Sequence, residues 1–126
     1  VMSKVAAALN DEGKAIKGSK VLILGLAYKA NVDDCRESPS FVLMEKLEAK
    51  GAIVDYNDSF VPVVPPTREH AHFTGKQSVE IEDRYDLILV STDHSEYKTF
   101  NFISYACPLV DSRNCISKKP QKYYHA

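Results

Sequence analysis

The chain has 126 residues, 44% of them hydrophobic, with 16 basic residues against 17 acidic ones. This size suits one compact domain with its own core and leaves no room for a second full domain. The formal net charge of −1 gives no overall field that would attract nucleic acid or an anionic membrane surface, so any bound anion must be held by a local cluster of cations.

No apolar run approaches the length of a membrane span, and the first residues lack the basic-then-apolar pattern of a signal peptide. Cys35, Cys107 and Cys115 form no Cys-x-x-Cys pair, and an odd number of cysteines argues against a complete disulfide framework. These features predict a cytoplasmic protein. The opening Val1-Met2 does not resemble a natural start, which favours an excised fragment.

The first predicted element is a short helix. Apolar side chains recur at helical spacing over residues 3–12, and Gly13 stands where a left-handed residue would end the helix. Residues 14–19 then form a linker that turns at Gly18.

Residues 21–24 form an unbroken apolar run, which predicts a strand buried on both faces in a parallel sheet. The strand ends at Gly25, and Ser38-Pro39 begins a helix as N-cap and first helical residue. Ligands of open α/β sheets bind between the carboxyl end of a strand and the next helix, so this turn is the predicted functional site. Its polar side chains include Tyr28, Lys29, Asp33, Asp34 and Arg36.

The helix is predicted to run from Pro39 to about residue 50 and to end at Gly51. Residues 52–56 predict a second strand, joined to the first by a right-handed crossover. Residues 57–66 form a proline-rich loop, and a short helix or strand is possible at 78–82. The helix side chains expected to face the sheet are Phe41, Leu43, Met44 and Leu47.

Residues 86–91 predict a third buried strand, followed by a turn at 92–95. Aromatic residues from 97 to 105 predict a short helix packed on the sheet, residues 108–111 predict a fourth strand, and a polar tail follows. The alternation of strands and helices predicts an α/β fold, a Rossmann-like three-layer α/β/α domain with a mostly parallel sheet.

A dinucleotide-binding fingerprint would place three glycines in the turn after the first strand, so that the backbone can approach a pyrophosphate. Gly25 is the only glycine in this turn. The sequence therefore predicts a Rossmann-like architecture without the phosphate clamp. Asp55 and Asp58, near the end of the second strand, are either ribose-binding acids or turn-forming residues, and the second interpretation is favoured.

Lys29 and Arg36 are the leading candidates for anion binding, since a diphosphate needs nearby cations, lysine as a point charge and arginine as a bidentate fork. Arg113 follows the fourth strand, so in a parallel sheet it is expected at the same edge as Lys29. Spacing alone leaves surface salt bridges equally open for Lys29 and Arg36, and a pairing with Asp111 open for Arg113.

The remaining polar candidates favour structural roles. Asp33 and Asp34 are adjacent on a turn, so they are expected to orient Arg36 or to cap the loop. The pair His70-x-His72 lacks cysteines or carboxylates at ligand spacing, and no metal site is predicted. Asp93-His94 follows a buried strand, where an acid/base pair could lie, but a turn with a satisfied imidazole is favoured.

Several motifs in order resemble the C-terminal, UDP-binding domain of the UDP-glucose/UDP-N-acetylhexosamine (GDP-mannose) 6-dehydrogenase family. They are Gly25-Leu-Ala-Tyr28-Lys29, Asp34-x-Arg36-Glu37-Ser38-Pro39, Ser91-Thr92-Asp93-His94 and Asp111-Ser112-Arg113-Asn114. The resemblance spans residues 18–116. It implies part of an NAD-dependent enzyme that oxidises the sugar C6 hydroxyl to a carboxylate in two hydride transfers, for polysaccharide biosynthesis.

The resemblance implies roles for four residues. Tyr28, Lys29 and Arg113 would bind the nucleotide sugar, and Arg36 would reach NAD held mainly by an N-terminal domain. The catalytic cysteine of the family lies upstream of this domain, so no catalytic residue is expected here and the chain alone is expected to be inactive. Cys35 lies inside the Asp-x-Arg motif, and Cys107 and Cys115 are expected to be apolar filler.

By the same resemblance, residues 1–18 would end a helix from a central dimerisation region, and residues 19–126 would form the nucleotide-sugar-binding domain. The expected partners are a UDP-sugar and the N-terminal and central domains of the same chain, in a homodimer or larger assembly. The motif residues favour UDP-N-acetylglucosamine over UDP-N-acetylmannosamine and UDP-glucose. A non-catalytic nucleotide-binding or regulatory module and a dimerisation scaffold remain open.

Overall fold

The computed structural model describes residues 1–126 and contains one sheet of five strands. The strands are β1 (Lys20–Leu24), β2 (Ile53–Asn57), β3 (Leu87–Val90), β4 (Leu109–Asp111) and β5 (Tyr123–His125), in the order β2-β1-β3-β4-β5. All neighbouring strands are parallel, so all carboxyl ends lie along one edge of the sheet. The predicted α/β class is confirmed.

Three helices complete the fold: α1 (Met2–Asp11), α2 (Pro39–Ala49) and α3 (Ser95–Thr99), with a 3₁₀ turn at Ala71–Phe73. The predicted start of α2 is confirmed, because the Ser38 hydroxyl accepts the Ser40 N–H at 3.2 Å and proline occupies the first helical position. None of the helices has both the length and the apolar character that crossing a bilayer would need.

The sheet is buried on both faces, which explains why β1 is apolar at consecutive positions. Val21 and Ile23 belong to a cluster that includes the inner sides of α1 and α2. Leu22 and Leu24 belong to a second cluster with α3 and the segment that follows it. The chain therefore forms three layers, as predicted.

Helix α1 packs on the sheet above β3 and β4. Its side chains Val5, Ala8 and Leu9 are completely buried. The assignment of residues 1–18 to the end of a connecting helix stays a prediction, but α1 contributes to the core of this domain.

The prediction of a polar tail after the fourth strand is wrong, because β5 extends the sheet beyond β4. The Tyr123 hydroxyl donates to the buried Asp111 carboxylate at 2.8 Å, and the Tyr124 hydroxyl donates to Asp11 at 2.7 Å. Two aromatic residues among lysines are too short a pattern to predict a strand. A paired neighbour and two tyrosine hydrogen bonds stabilise it.

Two other predicted elements differ from the structure. Helix α3 starts earlier than predicted and ends at Thr99, and the aromatic residues after it pack as a loop on the sheet. Residues 78–82 form neither helix nor strand. There the Val79 N–H donates to the Tyr56 carbonyl oxygen at 2.9 Å, so the segment runs beside β2 without forming a ladder.

Candidate functional site

The candidate site lies along the carboxyl edge of the sheet, where the chain leaves β1, β3 and β4. These three strands are neighbours, so the segments that follow them are neighbours too. From β1 the sheet continues to β2 on one side and to β3 on the other, and such a reversal of strand order is where open α/β sheets bind ligands.

Gly25 brings the turns after β1 and β3 into close contact. It has φ +93°, and a Cβ at this position would lie 2.3 Å from the Cβ of Thr92. The Thr92 hydroxyl also donates to the Ala27 carbonyl oxygen at 2.9 Å. Thr92 therefore fills the space that a glycine-rich loop would leave for a diphosphate. This agrees with the absence of the glycine fingerprint from the sequence.

Asp58, the residue after β2, is a completely buried carboxylate with every oxygen paired. Its Oδ2 accepts the N–H groups of Leu26 at 2.7 Å and Ala27 at 2.9 Å, and its Oδ1 accepts the Phe60 N–H at 2.8 Å. His94 Nε2 lies 2.8 Å from the same Oδ2. Asp58 therefore joins the turns that follow β1, β2 and β3.

Burial by itself raises the pKa of the Asp58 carboxyl, but the hydrogen bonds from His94, Ala27 and Leu26 outweigh burial and hold the pKa below its usual value. Asp58 is thus an anion. The Asn31 N–H donates to His94 Nδ1 at 2.8 Å, so Nδ1 carries a lone pair and the imidazole proton is on Nε2, directed at Asp58. The buried pair is a neutral imidazole and a carboxylate.

The loop that carries the predicted cations is closed on itself and attached to the turn after β3. The Tyr28 N–H donates to the Asp34 carbonyl oxygen at 2.6 Å. Asn31, at φ +60°, makes two hydrogen bonds with Ser95: its amide nitrogen donates to the hydroxyl at 2.9 Å, and its amide oxygen accepts the Ser95 N–H at 3.0 Å. The loop therefore has a fixed backbone beneath exposed side chains.

Three of the predicted site residues lie on this loop. Tyr28 has 57% of its surface exposed, and Lys29 is exposed and belongs to none of the ion pairs. Arg36 forms a bidentate pair with Asp34, with both hydrogen bonds at 3.2 Å. Tyr28, Asp34 and Arg36, together with Glu37, line a shallow cavity of about 320 Å³.

Arg113 follows β4, as predicted, and its side chain pairs with Asp93 at 3.4 Å. The alternative ion pair with Asp111 does not form, because the Asp111 carboxylate accepts the backbone N–H groups of Arg113, Cys115 and Ile116 instead. Arg113 lines a separate groove of about 420 Å³ beside the start of α2.

The structure places Lys29 and Arg113 at the same edge of the sheet, but the two residues do not share a cavity. The loop that carries Lys29 contacts His94 and Ser95, and Arg113 contacts Asp93 in the same turn. The two cations therefore flank the turn after β3, one on the β1 side and one on the β4 side.

The cysteines lack the features of nucleophiles. Cys35 is 2% exposed, and burial is the main reason that the pKa of its thiol is raised. Burial likewise raises the pKa of Cys107 to about 12 and of Cys115 to about 11. Since the thiolate is the reactive form, these three groups are poorly suited to covalent chemistry.

The two histidines near α2 have a carboxylate neighbour that the sequence spacing did not indicate. His70 Nδ1 lies 3.0 Å from Glu45 Oε1 without the alignment of a hydrogen bond, and His72 Nε2 lies 4.0 Å from Glu45 Oε2. The His70 ring stacks on Phe41 at 4.9 Å. The structure contains no group of three or more His, Cys, Asp or Glu side chains arranged to hold a metal ion.

Sequence reasoning missed Asn31 and did not connect Asp58 with His94. A satisfied imidazole in the turn after β3 was the favoured prediction, and its partners are now known. Part of the signal was in the sequence, because Asp58 directly follows β2 and His94 lies in the turn after β3, both in a parallel sheet. Recognising the pair also requires that β2 and β3 flank β1, which the sequence does not state.

Residues 22–118 match the model of the UDP-binding domain of the UDP-glucose/GDP-mannose dehydrogenase family. A UDP-glucose 6-dehydrogenase of Bacillus subtilis is 32% identical over 120 residues, which cover 86% of this chain and 26% of that enzyme. A UDP-N-acetyl-D-mannosamine dehydrogenase of Methanococcus vannielii is 35% identical over 88 residues, which cover 68% of this chain and 18% of that enzyme. The chain thus spans about a quarter or less of these relatives.

Among solved structures, an NDP-N-acetyl-D-galactosaminuronic acid dehydrogenase of Methanosarcina mazei superposes with a TM-score of 0.77 at 25% sequence identity. The superposition covers 99% of this chain and 27% of that one. The likeness extends over the whole described chain, including α1 and β5.

Proposed function

Since this chain belongs to the UDP-glucose/GDP-mannose dehydrogenase family, matching its UDP-binding domain, we propose that it holds the diphosphate of a UDP-sugar at the carboxyl edge of its sheet. The observation that carries the proposal is the exposure of Lys29. This residue is an exposed lysine without an ion-pair partner, on a loop with a hydrogen-bonded backbone at the reversal of strand order.

Lys29 supplies a point charge for the diphosphate, and the exposed ring of Tyr28 lies beside it as a surface for the nucleotide. Arg113 provides a second cation from the other side of the turn after β3. Its pair with Asp93 joins partly exposed groups at 3.4 Å, so it is weak enough to be exchanged for a phosphate oxygen. Tyr28, Lys29 and Arg113 are thus the proposed substrate-binding residues.

For the whole protein we propose NAD-dependent oxidation of the sugar C6 hydroxyl to a carboxylate, with NAD and the catalytic thiolate supplied by other parts of the protein. The residues of this chain do not fit a complete dinucleotide site, because Thr92 fills the space beside Gly25. Arg36 is the one residue proposed to reach the cofactor. Its side chain is 83% exposed and is held only by Asp34.

The proposed sugar is N-acetylglucosamine, on the basis of the motif residues around Tyr28 and Arg36. UDP-glucose and UDP-N-acetylmannosamine are the alternatives, and the names of the relatives from Bacillus subtilis and Methanococcus vannielii favour these two. A product for polysaccharide biosynthesis and a homodimeric or larger assembly in the cytoplasm belong to the same proposal.

Titration calorimetry of the 126-residue chain with UDP, and with uridine as the ligand control, tests the site. We expect saturable UDP binding and much weaker uridine binding, because the diphosphate supplies the charge. Lys29→Ala removes a charge-assisted hydrogen bond of about 1.5–3 kcal/mol, so UDP affinity should fall about 10-fold to 150-fold.

Lys50→Ala is the matched control for lost positive charge. Lys50 is exposed at the end of α2, at the edge of the sheet opposite to Lys29. The neighbouring Gly51 marks this position, because its carbonyl oxygen accepts the N–H of Gly18, which precedes β1. Equal UDP affinities in the Lys29 and Lys50 variants would contradict the site. Tight binding of NAD by the chain alone would indicate a self-sufficient dinucleotide module, and binding of neither ligand would favour a dimerisation scaffold.

A further inference from the structure

We propose that His94 is a positioning residue for the nucleotide-binding loop: the fixed Asp58 carboxylate selects its tautomer, and its Nδ1 accepts the backbone N–H of Asn31 and so sets the conformation of the turn that carries Lys29. The inference rests on the proposed function, because the loop matters only if it binds the nucleotide. It assigns a binding role to a buried histidine that contacts no solvent.

Asp58 cannot move independently of the sheet. Three backbone N–H groups, from Leu26, Ala27 and Phe60, point at its two oxygens at 2.7–2.9 Å. The Asp58 N–H itself donates to the Ser78 hydroxyl at 2.8 Å. The carboxylate is therefore a rigid reference point just beyond the ends of β1 and β2.

His94 has one orientation and one tautomer. Its ring is completely buried between Phe60, at a centroid distance of 4.8 Å, and Tyr97, at 5.6 Å. Nε2–H donates to Asp58, and Nδ1 accepts the Asn31 N–H. Any other tautomer places two donors or two acceptors against each other, so Nδ1 is held as the acceptor that faces the loop.

Asn31 lies two residues after Lys29, in the left-handed region at φ +60°. Its N–H is held by His94, and its side chain is held by Ser95. The Lys29 side chain is free while the backbone that presents it is fixed. Such preorganisation strengthens binding because less conformational freedom is lost when the ligand arrives.

Two conservative variants separate the two nitrogen atoms of the ring. The side-chain oxygen of asparagine can occupy the place of Nδ1, so His94→Asn keeps an acceptor for Asn31 and loses the donor to Asp58. Glutamine can place its amide nitrogen near the position of Nε2, so His94→Gln keeps the donor to Asp58 and loses the acceptor. Both variants disturb the core, and only the second frees the loop.

The test is UDP titration of the chain together with hydrogen exchange of the Asn31 amide. We expect His94→Gln to lower UDP affinity about 10-fold and to accelerate exchange at Asn31, whereas His94→Asn should stay within about 3-fold of the unmodified chain in affinity. Equal affinities in the two variants, or fast exchange at Asn31 with unchanged UDP affinity, would overturn the role of His94.

A measurement on the unmodified chain covers the case in which the variants do not fold. Nitrogen-15 spectra should report the Nε2–H tautomer of His94, and saturation with UDP should shift the Asn31 amide resonance. Saturable UDP binding without any change at Asn31 or His94 would overturn this inference alone. No saturable UDP binding by the unmodified chain would overturn the proposed function and this inference together.

Discussion

Two sets of polar side chains lie at the same edge of the sheet and differ in almost every physical respect. Asp58 and His94 are completely buried, and each of their polar atoms has a partner within the chain. Lys29, Arg36 and Arg113 are exposed and have at most one carboxylate partner each. The first set joins the turns that follow the strands, and the second is available to a ligand.

The difference indicates that stability and binding are carried by separate residues here. Burying a polar group costs free energy unless the group is hydrogen-bonded. Removing one member of the buried set therefore leaves its former partners unpaired, and each of them then contributes its full desolvation penalty. An exposed ion pair contributes little, since water and salt screen it. Variants of the two sets should therefore change different measurements.

Asp58→Ala should have the largest effect on stability of any change considered. It leaves three backbone N–H groups and the His94 Nε2–H without an acceptor inside the protein, and breaking such a buried charged network costs about 3–5 kcal/mol. Urea unfolding measures the loss. Asp33→Ala, at an exposed carboxylate without a side-chain hydrogen bond, is the control and should stay within about 0.5 kcal/mol of the unmodified chain.

The pH dependence of unfolding provides a second measure of Asp58. Because its pKa is lower in the folded chain than in the unfolded chain, its stabilising contribution is complete above the unfolded value of about 3.9 and is lost as the pH falls through the folded value. Asp58→Asn should therefore flatten the fall in stability below about pH 4. An unchanged acid limb would mean that other carboxylates, such as Asp83 and Asp86, dominate it.

Gly25→Ala should have the next largest effect, because it forces apart the turns that the buried set holds together. The new Cβ would lie 2.3 Å from Thr92, at a backbone φ of +93°. Overpacking costs about 1–3 kcal/mol, and the left-handed backbone adds about 1–2 kcal/mol. Gly13→Ala shares the positive φ, but its new Cβ meets nothing within 4 Å. The difference in stability between the two variants, measured by thermal unfolding, therefore gives the cost of the clash with Thr92.

Features of the structure that depend on consecutive residues could be predicted from the sequence, and features that depend on distant residues could not. The strand over residues 21–24 and the helix starting at Ser38-Pro39 come from consecutive residues, and the structure confirms both. The exposure of Lys29 and Arg36 also follows from a charged turn. These features need no knowledge of strand order.

Two missed features, β5 and the contact between Asp58 and His94, depend on neighbours far along the chain. β5 exists because β4 offers a free edge, and Asp58 meets His94 only because β1 lies between their strands. A single buried aspartate in a Pro-rich and Asp-rich segment has no local pattern that separates it from a turn-former. Sequence reasoning favours charged, exposed residues and undervalues buried polar ones for this reason.

Tyr123→Phe tests the second buried carboxylate, Asp111, which lies beneath Arg113 as Asp58 lies beneath the Lys29 loop. The change removes the hydroxyl from a set of four N–H and O–H donors to Asp111 and should cost about 1–2 kcal/mol in urea unfolding, since it takes a hydrogen bond from a buried acceptor. Tyr124→Phe removes a more exposed bond to Asp11 and should cost less than about 0.5 kcal/mol. Equal costs would mean that β5 is held by pairing rather than by Asp111.

Arg36→Ala should have the smallest effect on stability, although the structure gives Arg36 a bidentate ion pair. Both Arg36 and Asp34 are exposed to solvent, so their ion pair is little more stable than the two separate hydrated side chains. The urea midpoint should therefore not change measurably. UDP affinity should also stay constant, because Arg36 is proposed to face the cofactor, whereas Lys29→Ala should weaken UDP binding at an unchanged midpoint. A loss of UDP affinity in Arg36→Ala equal to that in Lys29→Ala would place both cations on the diphosphate and would remove the proposed division between substrate and cofactor.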